Sequence, residues 1–323
     1  MTTKACFNKT DPSKTARRMF VLIILVSFAP LILVTGFVIE QFESAYKASV
    51  HAQLQLLVEN HAGKIDEFLS EKQRNLFFLA GFTGHEMLTD PGCLKRCLNQ
   101  LQANYGSVFE DLGVIEASGL QSAYAGPFDL VYAEYGDTDW FREAMQRSVY
   151  ISDVFTGYRG YPHFVITIRQ KTPESQYLLR ATIGFESFTT LIEHLKIGKT
   201  GSAFIINAKG RFQTQPNPAV VFDPSVLKRL SQESPSANSS PRPTKNIQDI
   251  FGDAICLTVA IKNGEWMLVY LQDPSDAFCE LAKAKQTAII IFLLGGGCII
   301  IMAFYLPTRL LSNGTKNLMV RTS

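Results

Sequence analysis

Five residues within a short stretch, Phe155, Tyr158, Arg159, Tyr161 and His163, carry side chains suited to holding a small polar molecule. The planar guanidinium of Arg159 matches a carboxylate or phosphate through two parallel hydrogen bonds. His163 can donate or accept and titrates near neutrality, while the aromatic rings can stack on a flat ligand or cover an aliphatic stem. Tyr124 and Arg180 are further candidates on strand-like segments, where a side chain can equally face solvent. The competing account of Gly157 to Pro162 (GYRGYP) is a surface turn punctuated by Gly157, Gly160 and Pro162, with His163 merely opening a strand.

These residue types point to binding rather than to a reaction. The chain has no HExxH, GxSxG or P-loop signature, and His85-Glu86 lacks a second histidine because position 89 is Thr89. The five histidines, at 51, 61, 85, 163 and 194, are scattered without metal-ligand spacing. Neither catalysis, nor a cofactor, nor a metal is therefore expected. The six cysteines form no framework: Cys93 and Cys97 are four apart on a predicted helix, a spacing that zinc and thioredoxin motifs do not use. A formal net charge of +2 over 323 residues provides no basic field for nucleic acid.

The elements that position these residues begin with two apolar runs. Met19 to Ile39 and Thr287 to Leu306 carry no charge, and each spans roughly 30 Å as a helix, the thickness of a bilayer's hydrocarbon core. The first run is longer than a signal-peptide core and no small-residue cleavage site follows it, so it is expected to remain as an anchor. Lys4, Lys9, Lys14, Arg17 and Arg18 precede the first run, and Arg309, Lys316 and Arg321 follow the second. Positive flanks place both ends in the cytoplasm and residues 40–286 outside. Removing the ends leaves 23 basic and 28 acidic residues outside, a net charge of −5. The leader 1–18 and the tail 307–323 are too short to bury a core, so no cytoplasmic catalytic domain is expected in this chain.

Residues 40–80 hold no proline, and Phe42, Tyr46, Val50, Leu54, Leu57, His61, Ile65, Phe68, Lys72, Leu76 and Leu79 recur in steps of four and three. That spacing predicts one striped helix continuous with the first apolar run, reaching about 60 Å beyond the membrane. Its stripe must be covered by a sheet domain or by a second copy, and a homodimer through residues 40–80 is expected.

From Phe109 the signal turns to strands. VFEDLGVI with LQSAYAG, and HFVITIRQ with QYLLRATIG, read as hairpins, and DTDWFREAMQRS between them reads as a short helix. SAFIINAKGRFQT is predicted to turn at Ala208 to Gly210, and AICLTVAIKNGEWMLVYLQ at Asn263-Gly264. A helix is expected around Phe185 to Leu195, and SQESPSANSSPRPTKN (231–246) reads as a flexible excursion. The predicted class is α+β, with two transmembrane helices flanking a long helix and two antiparallel sheet modules.

This layout resembles the double Cache (dCache) family of extracellular sensor domains, with two PAS-like modules over residues 40–285. The resemblance is carried by GKTGSAFIINAKGRFQTQP (Gly198 to Pro216), by DTDWFREA, and by VYISDVFTGYRGYPHFVITIR. It implies a membrane-distal ligand-binding module at 109–195 and a membrane-proximal module at 196–286, preceded by a helical segment at 40–108. Trp140 and Phe141 fall where the family's amino-acid binders place an aromatic pair. Those binders have an arginine where this chain has Thr138, and acids near Gly157 and at Gly184, so an α-amino acid is either not the ligand or is held by a rearranged set. The candidate ligand-binding residues are thus Trp140, Phe141, Arg159, His163, Tyr158, Phe155, Tyr124 and Arg180, for a small anionic metabolite.

The implied role is a sensor in the inner (plasma) membrane with a periplasmic domain, signalling through its transmembrane helices to a cytoplasmic kinase partner. The alternative is the front part of a sensor histidine kinase whose catalytic half is absent. A third possibility is a partner-binding ectodomain with no small-molecule ligand.

Overall fold

The striped helix forms and is longer than its periodic part. In the computed structural model, which describes residues 12–171, 176–193, 197–215, 224–232, 242–243 and 254–319, helix α1 runs Pro12–Phe82 without interruption. Its buried ridge is Leu54, Val58, Ala62, Ile65, Leu69, Lys72, Leu76 and Ala80. Leu57, His61, Phe68 and Leu79, expected on the stripe, flank this ridge half-buried. The ridge includes two small residues, Ala62 and Ala80, and runs one position away from the larger side chains of the expected stripe at Leu57, His61, Phe68 and Leu79. Lys72 is buried because its stem lies in the core and its ammonium sits 4.0 Å from the centre of the Tyr105 ring.

Two compact units result, one of residues 52–277 and one built from the described residues up to His51 and from Phe278 onward. The second unit consists of the start of α1 and of helix α8 (Cys279–Met319). Both helices are long and apolar enough to cross a membrane. Within it Glu43 is ion-paired with Lys285 and, at 2.7 Å, with Lys47, and the His51 ring meets Phe278 edge-on at 5.9 Å.

In the unit 52–277, α2 (His85–Thr89) and α3 (Pro91–Tyr105) follow α1. Asp90 caps α3 by accepting from Cys93 N at 2.6 Å, Pro91 opens it, and Gly106 at φ +66 closes it. Cys93 and Cys97 carry no disulfide. The first sheet comprises β1 (Phe109–Glu116), β2 (Gln121–Ala125), β3 (Val149–Ile151), β4 (His163–Lys171) and β5 (Gln176–Gly184), all antiparallel in the order β2-β1-β5-β4-β3. Both expected hairpins are present; the turn KTPES of the second lies mostly outside the described residues. Helix α4 (Asp139–Ala144) forms where DTDWFREAMQRS predicts it.

Helix α5 (Phe185–Glu193) leads to the second sheet, and its expected end at Leu195 lies outside the described residues. That sheet contains β6 (Ser202–Asn207), β7 (Arg242–Pro243), β8 (Ile255–Ile261) and β9 (Trp266–Gln272), in the order β6-β9-β8-β7, with α6 (Pro224–Gln232) packed on it and α7 (Pro274–Ala277) after it. Two expectations are corrected. After its turn β6 does not form a full hairpin: on the edge opposite β9 only the bridge Ile206↔Phe212 is made, with Asn207 N donating to the Arg211 carbonyl and Gln213 N to the Ile205 carbonyl. Nor is 231–246 wholly irregular, since Arg242–Pro243 pairs with Thr258 and Leu257; as an edge strand it tolerates proline's missing N–H. Most of that stretch lies outside the described residues. The two sheets meet at an aromatic junction, where Phe164 of β4, Phe188 of α5 and Trp266 of β9 have ring centres 5.1 to 5.8 Å apart.

Candidate functional site

Strand alternation gives the first sheet two unlike faces. Leu112, Val114, Phe164, Ile166, Ala181 and Ile183 form an apolar face. On the opposite face, directly paired residues bring polar groups together: Asp111 beside Thr182, Gly113 beside Arg180, and Thr167 beside Arg180 from the other side. This face is buried as well. One half is apolar, with Ile115, Val165 and Leu178 beneath Trp140, Phe141 and Ala144 of α4. The other half is covered by the single turn of 3-10 helix Gly157–Arg159 and holds a charged network.

At the centre of that network stands Asp111. Its carboxylate accepts from Arg159 Nε at 3.0 Å and from Arg159 Nη2, from Arg180 Nη2 at 3.1 Å, and from the Tyr124 hydroxyl at 3.3 Å. The side chains of Arg159 and Asp111 are 2% and 0% exposed. Gly113 is required beside it: a Cβ there would collide with the Gln121 amide and lie 3.1 Å from Arg180 Nη2. Arg159 Nη1 also donates to His163 Nε2 at 3.0 Å. An arginine cannot accept, so Nε2 is the acceptor and Nδ1–H donates to the Tyr161 carbonyl at 2.9 Å. His163 is therefore neutral. Burial, reinforced by the two guanidinium groups, lowers its pKa to about 4. Two guanidinium groups thus share one carboxylate, and the buried cluster keeps an excess positive charge. Arg180 Nε and Gln121 Oε1 are buried without a hydrogen-bond partner among the described residues.

Beside the network lies a cavity of about 540 Å³ walled by Tyr135, Trp140, Phe155 and Tyr158. Trp140 stacks on Phe155 with the rings 17° from parallel and 6.0 Å apart. Tyr135 joins cavity to network, since its hydroxyl accepts from Arg180 Nη1 at 3.3 Å while its ring meets Trp140 and Tyr158 edge-on. Phe155 does the same on the other side, its ring 4.5 Å from that of His163. Thr138 and Gly157 line this cavity too, together with Lys209 and Arg211 from the turn after β6.

The predicted residues therefore divide. Trp140, Phe155 and Tyr158 border the cavity, whereas Phe141 is packed into the apolar half of the sheet face and is not among the lining residues. Arg159, His163, Tyr124 and Arg180 lie together in the network, buried around Asp111, and the surface-turn account of GYRGYP fails for its arginine. Sequence reasoning missed Asp111, Tyr135, Asp153, Lys209 and Arg211. An acid in the middle of VFEDLGVI was a usable signal, because a buried strand tolerates a carboxylate only with partners. Two cations in a hairpin turn are ordinary and gave none.

A larger cavity, about 860 Å³, is lined by Glu110, Tyr161, Gly184, Glu186 and Phe212 among others. The Glu110 carboxylate lies 2.9 Å from where a Cβ on Gly184 would stand, and it accepts from the Tyr161 hydroxyl at 2.9 Å. Burial raises the Glu110 pKa. With two carboxylates and no basic group among its described lining residues, this cavity does not suit an anion, and the Trp140 cavity is the candidate site. Among the described residues, no group of histidine, cysteine and acidic side chains is placed to hold a metal.

No protein-family model matches the chain, and no curated protein sequence matches it. Solved structures do. The ligand-binding domain of the Pseudomonas fluorescens chemoreceptor CtaA, in complex with L-isoleucine, superposes with a TM-score of 0.53 at 15% identity, covering 73% of this chain and 98% of that one. The sensory domain of the Campylobacter jejuni chemoreceptor Tlp3 does so with a TM-score of 0.52 at 12% identity, covering 73% and 97%. The extracellular domain assigned to a histidine kinase, rpHK1S-Z16, gives 0.53 at 15%, covering 71% and 96%. At such identities the likeness establishes the fold, which is the two-module architecture of double Cache type.

Proposed function

We propose, with that sensor-domain fold as premise, that residues 40–286 form an extracytoplasmic signal-input domain binding a small anionic metabolite in the Trp140 cavity. The distal module, 109–195, supplies the aromatic wall, and the proximal module, 196–286, passes the change to the membrane segments 19–39 and 287–306. Both ends are cytoplasmic, and the role is binding, not catalysis. The carrying observation is a cavity of ligand size with four aromatic walls, backed by a buried network that has more positive than negative charge. Thr138 lines the cavity where amino-acid binders carry an arginine, and Gly157 near where they carry an acid, which argues against a zwitterion clamp. Leu56, Phe77, Phe78 and Phe82, exposed on α1, support a homodimer through that helix.

The test is a thermal-shift screen of the full chain in detergent against carboxylates, amino acids and nucleobases. A ligand at a hundred times its Kd stabilises by about 2.7 kcal/mol, and Trp140→Ala should abolish that shift. The absence of any shift, or a shift that Trp140→Ala leaves intact, refutes the site.

A second reading is that this chain is the input end of a sensor histidine kinase, and the fold it shares with the rpHK1S-Z16 domain favours it. An open reading frame continuing past Ser323 into a kinase would support it, and a stop codon there would count against it.

A further inference from the structure

Arg159 and Arg180 face the distal module's interior, yet both are committed to Asp111. The charged groups that remain at the cavity sort cleanly. Asp139 pairs with Arg142 at 2.6 Å, and Glu143 with Arg147 at 3.4 Å; Arg147 also pairs with Glu265 at 2.7 Å, and Glu265 is balanced in turn by Lys262 at 3.1 Å. Among the described residues Asp153 has no cation within ion-pair distance, and it accepts from Trp266 Nε1 and from Asn207 Nδ2, both at 2.8 Å. Lys209 and Arg211 are exposed, and their side chains make no hydrogen bond or ion pair with a described residue. Two uncommitted cations against one unpaired carboxylate leave one positive charge at the cavity, the charge that a single carboxylate neutralises.

These cations are held in place from the second module. Asn207 Oδ1 accepts from the backbone N–H groups of Lys209 and Arg211, at 2.9 Å each, while Gly210 N donates to the Asn207 carbonyl. Gly210 adopts φ +73, and a Cβ there would approach the Leu227 backbone to 3.0 Å. The same Asn207 side chain reaches Asp153 in the wall of the distal cavity. One asparagine therefore shapes the turn and fastens it to the site.

We infer that the turn Ala208–Arg211 is the anion-recognition element of the distal cavity: Lys209 and Arg211 take the carboxylate of a monocarboxylate whose apolar body lies against Trp140 and Phe155. Bound ligand then touches both modules at once and favours the arrangement in which the turn sits on the cavity. This rests on the cavity being the ligand site.

Binding of phenylacetate and hexanoate, and of their neutral amides phenylacetamide and hexanamide, is measured by calorimetry on the full chain in detergent. At least one carboxylate should bind tenfold or more tighter than its amide, with an affinity that falls as salt rises. Lys209→Gln/Arg211→Gln, two exposed substitutions, should erase that preference. A carboxylate preference that survives the double substitution, or equal binding of acid and amide to the unaltered chain, overturns the inference. If Trp140→Ala abolishes binding while the preference survives the double substitution, the cavity reading stands and the turn's role falls. If none of the four probes binds the unaltered chain, the turn's role in holding a monocarboxylate falls, and the cavity reading stands or falls separately on the thermal-shift screen.

Discussion

Asp111 and Arg159, 48 residues apart, form an ion pair beside the first sheet with both side chains withdrawn from water. Arg180 reaches the other oxygen of the same carboxylate at 3.1 Å. Desolvating three charges is costly, and the cost is offset only while each keeps its partners.

Asp111→Asn leaves two buried guanidinium groups without their counter-charge. It should destabilise the unit by about 3 to 5 kcal/mol in urea unfolding. Arg159→Gln should be milder, since Arg180 still holds the carboxylate. In a double-mutant cycle the losses should be strongly non-additive; additive losses would mean that the pair is not coupled.

His163 makes stability fall on acidification. Its folded pKa, about 4, lies below the ordinary histidine value of 6.5, so the unfolded chain binds the extra proton first. The contribution is complete above pH 6.5 and is lost as pH falls towards 4, a total of about 3 kcal/mol at 1.36 kcal/mol per unit. His163→Gln, which preserves an acceptor for Arg159, should flatten the stability profile between those limits.

Asn207 has two separable roles. Asn207→Ala removes both the turn closure and the Asp153 contact, at about 1 to 3 kcal/mol for the buried groups left unpaired. Asn207→Asp keeps the acceptor for Lys209 N and Arg211 N but sets a carboxylate against Asp153. Adding Asp153→Asn should restore stability to Asn207→Asp and not to Asn207→Ala, as read by denaturation.

In the unit formed by the two ends, Lys285 and then Lys47 hold the Glu43 carboxyl down to about 2. Carbon NMR of labelled glutamate should find it titrating there, and Lys285→Met should move it back towards 4.5, the ordinary glutamate value.

Much of the fold was legible because local patterns specify it. The three-and-four spacing predicted α1, the alternation in HFVITIRQ and QYLLRATIG predicted β4 and β5, and Asn263-Gly264 marked the β8–β9 connection, where both residues have positive φ. The short strand β3 and helix α6 were missed: three residues carry too little alternation, and α6 is bounded by segments rich in proline and serine. Residue type singled out Trp140, Phe141 and Phe155; Phe141 and Trp140 are adjacent on one helix turn, and only packing sets Trp140 and Phe155 at the cavity and leaves Phe141 off its lining.

The sequence by itself determined the two apolar spans, the striped helix and the strand-rich modules, because each is a periodic property of neighbouring residues. It also named Arg159, Arg180, His163 and Tyr124 as chemically capable. What those groups do was decided by tertiary structure alone. Asp111 enters from another strand and takes both guanidinium groups, and the turn at Lys209 and Arg211 arrives from the second module. Charge pairing depends on distance in space, and no spacing along the chain encodes which carboxylate, 48 or 69 residues away, will reach a given arginine first.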